Sequence, residues 1–378
     1  MKLITVTSFL FILTITVSSC KKGCTDPTAV NYNSKAKKDD GSCVPAGYTI
    51  PSTYNFTDGG GNSTVNFSGQ TQRLDQLSEL VVLMKTGTTT TLSAQDLKDM
   101  FANAGGNGNG LFSFSSSKQL KDKCFALDTA LFHTWMNEIA VASASNASVA
   151  SSGQAGTLTT GTSNYLFDAN GKEHVQLIEK GLMGAVFMYQ ALNVYFGESE
   201  MNVDNSVAVD PANGEYFTTM EHHFDEAFGY FGVSSDFPLL VPNRFWGKYC
   251  NAQNAVLNSN SDMMSNFLKG RAAITAKELA DRDQAIVAIQ NEWEAISAYQ
   301  AMTYLDGAIS NFGVDNALFL HELSEAYAFA WNLRYAPLAT RKMSTSEHAA
   351  LMAQFPANFW SITLTDLNSI KNTINAKY

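Results

Sequence analysis

The segment Glu221-His222-His223-Phe224-Asp225-Glu226 places two imidazoles among three carboxylates within six residues. On a helix, residues three and four apart share a face, so His222 neighbours Asp225 and Glu226 while His223 neighbours Glu226. Helix bundles build metal sites from such pairs on facing helices, although their usual order is Glu-x-x-His rather than His-x-x-Glu. A second cluster, His321-Glu322-Leu323-Ser324-Glu325, sets His321 and Glu325 four apart. Arg334 falls roughly opposite them on the same helix and is set aside. Folded together with Glu292-Trp293-Glu294, these helices can bring two or three imidazoles and several carboxylates to one pocket.

Two chemistries fit this pattern. In the first, iron or another divalent metal is held by His223 and Glu226, with His222, Asp225, His321 and Glu325 as further ligands or supports. In the second, each histidine–carboxylate pair is a charge-assisted hydrogen bond that staples helices together, and Glu292 and Glu294 lie on a solvated face. His133, His174 and His348 read as structural or surface histidines. Catalytic patterns are missing: there is no His-Glu-x-x-His, Gly-x-Ser-x-Gly, Walker loop or Rossmann glycine fingerprint. The Asn-interleaved glycines of Gly105–Gly110 lack the Lys-Ser/Thr that phosphate binding needs. No catalytic residue is assigned, and the sequence points away from an enzyme.

Helices must position these residues. Leu74, Leu77, Leu80, Val81 and Met84 recur at steps of three and four. Ser93 and Asp96 form a capping box ahead of a short helix. Further helices are expected over 118–142, 172–196, 214–231, 245–258, 276–310 and 315–335, with two shorter ones after Ser344-x-x-Glu347. The Ser/Ala/Gly/Thr-rich stretch 143–164 reads as a surface loop, and no strand of any length is expected. The fold class is therefore all-α: a helix bundle, or two packed bundles, following a disordered tether.

The chain begins with Lys2, an apolar run from Leu3 to Val17, and Val17-Ser18-Ser19-Cys20. This is a signal peptide ending in a lipobox, which makes Cys20 a lipidated N-terminus. The expected organisation is signal peptide 1–19, lipidated Cys with Cys-bracketed module and tether 20–53, and helical domain 54–378. The most apolar later window, 181–196, is short of the roughly 20 residues a span needs and is interrupted by Gln190 and Asn193. Lipid chains supply the membrane attachment instead. With 25 Lys+Arg against 35 Asp+Glu the formal charge is −10, and loss of Lys2 makes the mature chain more acidic still. Nucleic acid is not a partner for such a surface. Cys24 and Cys43 bracket a polar segment and are expected to be bridged in an oxidising compartment. Cys124 and Cys250 sit in apolar contexts, and the sequence leaves open whether they pair with each other or stay as buried free thiols, the latter slightly favoured.

Residues 24–43 resemble a Cys-bracketed module common in extracellular proteins of Bacteroidota-type bacteria. The run His223-Phe-Asp-Glu-Ala-Phe-Gly-Tyr-Phe-Gly, with Lys180-Gly-Leu-Met-Gly-Ala upstream and His321-Glu-Leu-Ser-Glu-Ala-Tyr downstream, resembles a family of bacteroidete lipoproteins, domain of unknown function 4856. That family is in turn distantly similar to imelysin-like proteins, iron-regulated helical envelope proteins with a Gly-x-His-x-x-Glu motif. His223 and Glu226 match the motif, while Glu221 stands where its glycine would be. The resemblance implies a lipid-anchored binding protein of the outer membrane, facing the periplasm or the medium, accessory to iron or haem acquisition. The alternative is a structural or interaction lipoprotein that contacts other envelope proteins and holds no metal. A metal-dependent hydrolase is the third reading, and a lone His-x-x-Glu supports it poorly because hydrolytic zinc needs three protein ligands.

Overall fold

The structure is a computed structural model, and it describes residues 21–25, 32–39, 47–239 and 243–378. The chain divides into two compact units, 1–49 and 50–378. In the first, Lys22 bridges to Lys38, and the Asn33 amide donates to the carbonyl of the buried Cys24 (3.0 Å). These contacts tie residues 21–25 to residues 32–39, so that this part of the expected disordered tether has a defined conformation. Cys20 and Cys43, expected to carry the lipid and the disulfide, lie outside the described residues, as does the signal peptide.

The second unit is all-α apart from one hairpin. Its helices are α1 (Ser68–Lys85), α2 (Ala94–Phe101), α3 (Thr129–Ser143), α4 (His174–Leu182), α5 (Glu198–Met201), α6 (Thr219–Phe231), α7 (Trp246–Leu257), α8 (Ser259–Ala276), α9 (Leu279–Asn311), α10 (Asn316–Asn332), α11 (Thr345–Met352) and α12 (Leu364–Asn375). Helix α9, 33 residues and about 50 Å long, is the spine. It packs against α8 and α10 along most of its length and against α7 and α12 at its flanks. Ser297, Ala298 and Ala301 keep its surface low enough for close approach, and Trp293, Ile296 and Leu305 fill the core between. Among the described residues no helix is long and apolar enough to cross a membrane.

Local chemistry sets the boundaries. Ser93, Asp315, Ser344 and Thr363 cap α2, α10, α11 and α12 by accepting backbone N–H bonds, and Thr218 with Glu221 forms a capping box on α6. Asn258, at φ 58°, separates α7 from α8, and Gly232, at φ 80°, ends α6. Helix α4 runs on through two π-helical segments, Met183–Met188 and Gln190–Tyr195. The wider register opens carbonyls to outside donors. Trp246 Nε1 reaches the Met183 oxygen (2.8 Å), and the Phe125 amide reaches that of Ala185 (2.8 Å).

Several expectations need correction. The helix expected over 118–142 starts only at Thr129, because Cys124 and Phe125 are extended and Phe125 is bonded to the π segment. The expected loop 143–164 contains β1 (Gly156–Thr160), which pairs antiparallel with β2 (Ser163–Phe167) through the two-residue turn Gly161-Thr162. Helix α8 was not expected at all. Residues 54–67, which open the expected helical domain, form no helix and are packed on α6: Tyr54 stacks on Phe228 with centroids 3.7 Å apart, and Tyr54, Phe56 and Thr64 are buried.

Asp315, the cap of α10, also bonds the hairpin. Asp315 accepts from Ala317 N (2.9 Å), Leu318 N (3.1 Å) and Thr160 Oγ1 (2.6 Å). Asp315→Ala is expected to lower stability by about 1–2 kcal/mol in urea denaturation, and Asp315→Asn to retain most of the cap.

Candidate functional site

Helix α6 carries the residues expected to bind metal, and the fold sends them in different directions. Asp225 is fully buried and accepts from Arg271 Nε (2.9 Å), Tyr54 Oη (2.9 Å) and Asn66 N (3.2 Å). Glu221 accepts from Arg271 Nη1 (2.7 Å) and Thr275 Oγ1 (2.7 Å). The same guanidinium donates through Nη1 to Thr275 Oγ1 and through Nη2 to Thr64 O (2.9 Å) and Thr64 Oγ1 (3.1 Å). All five of its N–H groups are therefore used. Burial pushes Asp225 up to about 6, with Arg271 holding it down against that trend. Burial opposes the Arg271 charge, but Asp225 and Glu221 outweigh it and raise its pKa.

His223 turns to α5: its Nδ1 lies 3.0 Å from both the carbonyl and the Oε2 of Glu200. Glu226 accepts from Gln70 Nε2 on α1 (2.8 Å). The imidazole nearer to Glu226 is that of His222, at 3.9 Å, and its ring stacks on Phe217. Burial lowers the His222 pKa against the pull of Glu226. The expected ligand pair, His223 and Glu226, thus serves two different contacts between helices.

The second expected cluster is a chain of alternating charge. His321 Nδ1 lies 2.6 Å from Glu173 Oε2, and its Nε2 is 3.8 Å from Glu325 Oε1. Glu325 is 3.3 Å from the Lys180 ammonium, which is 2.9 Å from Glu179. Burial works against a charged His321, but Glu173 prevails and raises its pKa. Lys180 already stands between two carboxylates where a bound cation would otherwise be useful. Glu294, expected on a solvated face, is 1% exposed and accepts from the Lys342 amide (2.9 Å). Among the described residues no three His, Cys, Asp or Glu side chains gather as a metal site needs. Cys124 and Cys250 are free and buried, and burial pushes both thiols up to about 12.

A different concave site lies where α10 ends against α11. It is a cleft of about 730 Å³, walled by Phe125, Tyr189, Trp331 and Tyr335, with Arg334 and Arg341 at its polar side. Trp331 Nε1 donates to Tyr335 Oη (3.1 Å), which donates to Asp128 Oδ2 (2.5 Å), so the rings are held in place. Arg334 bonds Asp128 Oδ1 (3.2 Å) and lies over the Trp331 ring at 4.7 Å. Arg341 donates to Thr345 Oγ1 (2.5 Å), and among the described residues no carboxylate lies within 4.0 Å of it. His348 faces the cleft, and its Nε2 contacts the Ala330 carbonyl (3.1 Å). No Asp or Glu lines the cleft.

The family model for the domain of unknown function DUF4856 matches residues 51–378. The chain belongs to that family. The expected signature residues of the DUF4856 domain therefore carry the burial pattern just described, with Phe224, Ala227, Phe228, Tyr230 and Phe231 all in the core beside Asp225. No curated protein and no solved structure matches the chain. Sequence reasoning missed Arg271, whose helix carries no clear amphipathic pattern, and it set Arg334 aside because it judged that residue only against His321. The spacing Trp331-x-x-Arg334, three apart on one helix face, was the available signal for the cleft.

Two outcomes follow. Arg271→Leu strands Asp225 and Glu221 in the core and is expected to cost about 3–5 kcal/mol in urea denaturation, with part of the loss recovered by adding Asp225→Asn. Burial, helped by Arg334, pushes His348 down to about 4. Below pH 6.5 the unfolded chain takes up a proton at this histidine that the folded chain refuses. The stability it contributes is therefore complete above pH 6.5 and is lost as pH falls toward 4, up to roughly 3 kcal/mol. His348→Gln is expected to flatten the stability profile by that amount across this window.

Proposed function

We propose that this protein is a non-catalytic binding protein of the bacterial cell envelope, anchored to the outer membrane through Cys20, whose ligand occupies the cleft between α10 and α11. One observation carries the reading: the cleft sets a wall of aromatic rings beside two arginines, a combination suited to holding a ligand. Its histidine is bound to the Ala330 carbonyl, its Thr345 hydroxyl accepts from Arg341, and no carboxylate or thiol is among its lining residues. A volume of about 730 Å³ falls in the range of small-molecule and cofactor sites.

Iron or haem acquisition is the role that the imelysin-like resemblance implies. Within that role the geometry favours an organic ligand over a bare ion, because His223 and Glu226 are engaged by Glu200 and Gln70. A structural or interaction lipoprotein is the second reading. It is favoured by the use of both histidine clusters as links between helices, the α6 cluster to α1 and α5 and the α10 cluster to α4.

The test is native mass spectrometry and elemental analysis of the mature chain, solubilised in detergent from its own envelope, beside Ala349→Trp and His223→Ala/Glu226→Ala. Ala349 is exposed and lines the cleft, so a tryptophan there fills the space without entering the core. An organic adduct absent from Ala349→Trp and retained by the histidine variant supports the proposal. Stoichiometric metal lost only from His223→Ala/Glu226→Ala overturns it in favour of a metal site. Neither adduct nor metal overturns it in favour of the structural reading.

A further inference from the structure

Resting on the binding reading above, we infer that the cleft selects a small carboxylate built on a flat, apolar ring system, with Arg341 binding the carboxylate. The argument begins with charge. The chain carries a formal charge of −10, and yet this aromatic cleft is lined by two arginines and no acidic residue. Such a surface repels anions in general, so a cationic recess within it is a local and specific preference.

The two arginines are not equivalent. Arg334 is neutralised by Asp128 and lies over Trp331, which makes it part of the wall. Arg341 has no carboxylate within 4.0 Å among the described residues. Its hydrogen bonds go to the Thr345 hydroxyl and, at 3.5 Å, to the Arg334 carbonyl, both neutral acceptors. A guanidinium presents five N–H donors in a fork that matches a carboxylate, and here donors remain for one.

The walls define the rest of the ligand. Trp331, Tyr335 and Phe125 are fixed by the Trp331–Tyr335–Asp128 hydrogen bonds and by packing, with Phe125 and Tyr335 centroids 5.8 Å apart at 74°. Rigid rings bind a flat apolar body at low entropic cost. The exposed side chains of Leu127 and Leu338, both 77% exposed, extend the apolar surface at the rim. A bare inorganic anion would leave these surfaces wet, and a neutral ring would leave Arg341 with only the longer-range pull of Glu294.

The experiment is titration of the detergent-solubilised mature chain with naphthalene-2-carboxylate, its neutral carboxamide and acetate, followed by calorimetry and by Trp331 fluorescence. The carboxylate is expected to bind at least tenfold more tightly than the carboxamide, and acetate not at all. Arg341→Gln should remove that preference and Arg341→Lys should keep part of it, both with an unchanged melting temperature. Equal binding of carboxylate and carboxamide, or an unchanged preference in Arg341→Gln, overturns the inference while leaving a ligand-binding cleft. No binding of any ring probe overturns the ligand class. If native protein nonetheless carries an organic adduct that Ala349→Trp abolishes, the binding reading survives that failure; if it carries none, both fail together.

Discussion

A guanidinium with no exposure is the constraint around which one half of this domain is arranged. Arg271 on α8 is stable in the core only if each of its five N–H groups finds an acceptor, and it takes them from three places in the chain: Thr64 ahead of α1, Glu221 and Asp225 on α6, and Thr275 on its own helix. Satisfying the donors fixes the position of the segment that leads into the domain. Tyr54 adds its hydroxyl to Asp225 and stacks on Phe228, so aromatic packing and charge pairing hold the same few residues. The close approach depends on two glycines. A Cβ at Gly270 would meet the Phe224 ring at 2.5 Å, and one at Gly229 would meet Phe67 Cβ at 2.6 Å.

The other half is held by the chain of charges running from Glu173 through His321, Glu325 and Lys180 to Glu179. These groups join α4 to α10 and are shielded from water, where an unpaired charge is costly and a paired one enforces a particular register. Tyr165 from β2 stacks on His321, which joins the hairpin to the same network. Helix α10 is thereby positioned from two sides, and its end presents Trp331 and Arg334 to the cleft. Asp128, just ahead of α3, completes the arrangement by accepting from Tyr335 and pairing with Arg334.

Elements with a clear apolar period were legible in the sequence. Leu74 to Met84 lie on the buried face of α1, and the capping residues Ser93 and Ser344 start the helices expected of them. The family signature was legible too, since its motif residues are distinctive. What escaped was structure whose stabilisation is not local. Helix α8 reads as Ser-Asn-Ser-Asp-Met-Met-Ser-Asn, polar enough to resemble a loop, and becomes helical because Arg271, Met263 and Phe267 are buried against α6 and α9. The hairpin is short and rich in Thr and Ser, and Asp315 and the packing of Leu166 and Phe167 define it. The burial of Glu294 likewise depends on the Lys342 amide and on the terminal Tyr378, both far along the chain.

The densest polar cluster in the sequence is taken up by contacts between helices, and the reason is general. Charged groups placed together on a helix within a bundle must be compensated on folding, because the low-dielectric interior penalises any that are not. Compensation uses the same hydrogen-bonding capacity that a ligand would need. Asp225 accepts three bonds, His223 is fastened to Glu200, and Lys180 lies between two carboxylates. Arg341 belongs to no cluster in the sequence and lies at an edge where water can solvate it, so the fold does not need to neutralise it. On the proposed reading, a binding site in such a bundle lies where the fold leaves interactions unmade, and in this chain the guanidinium beside the aromatic wall is such a place.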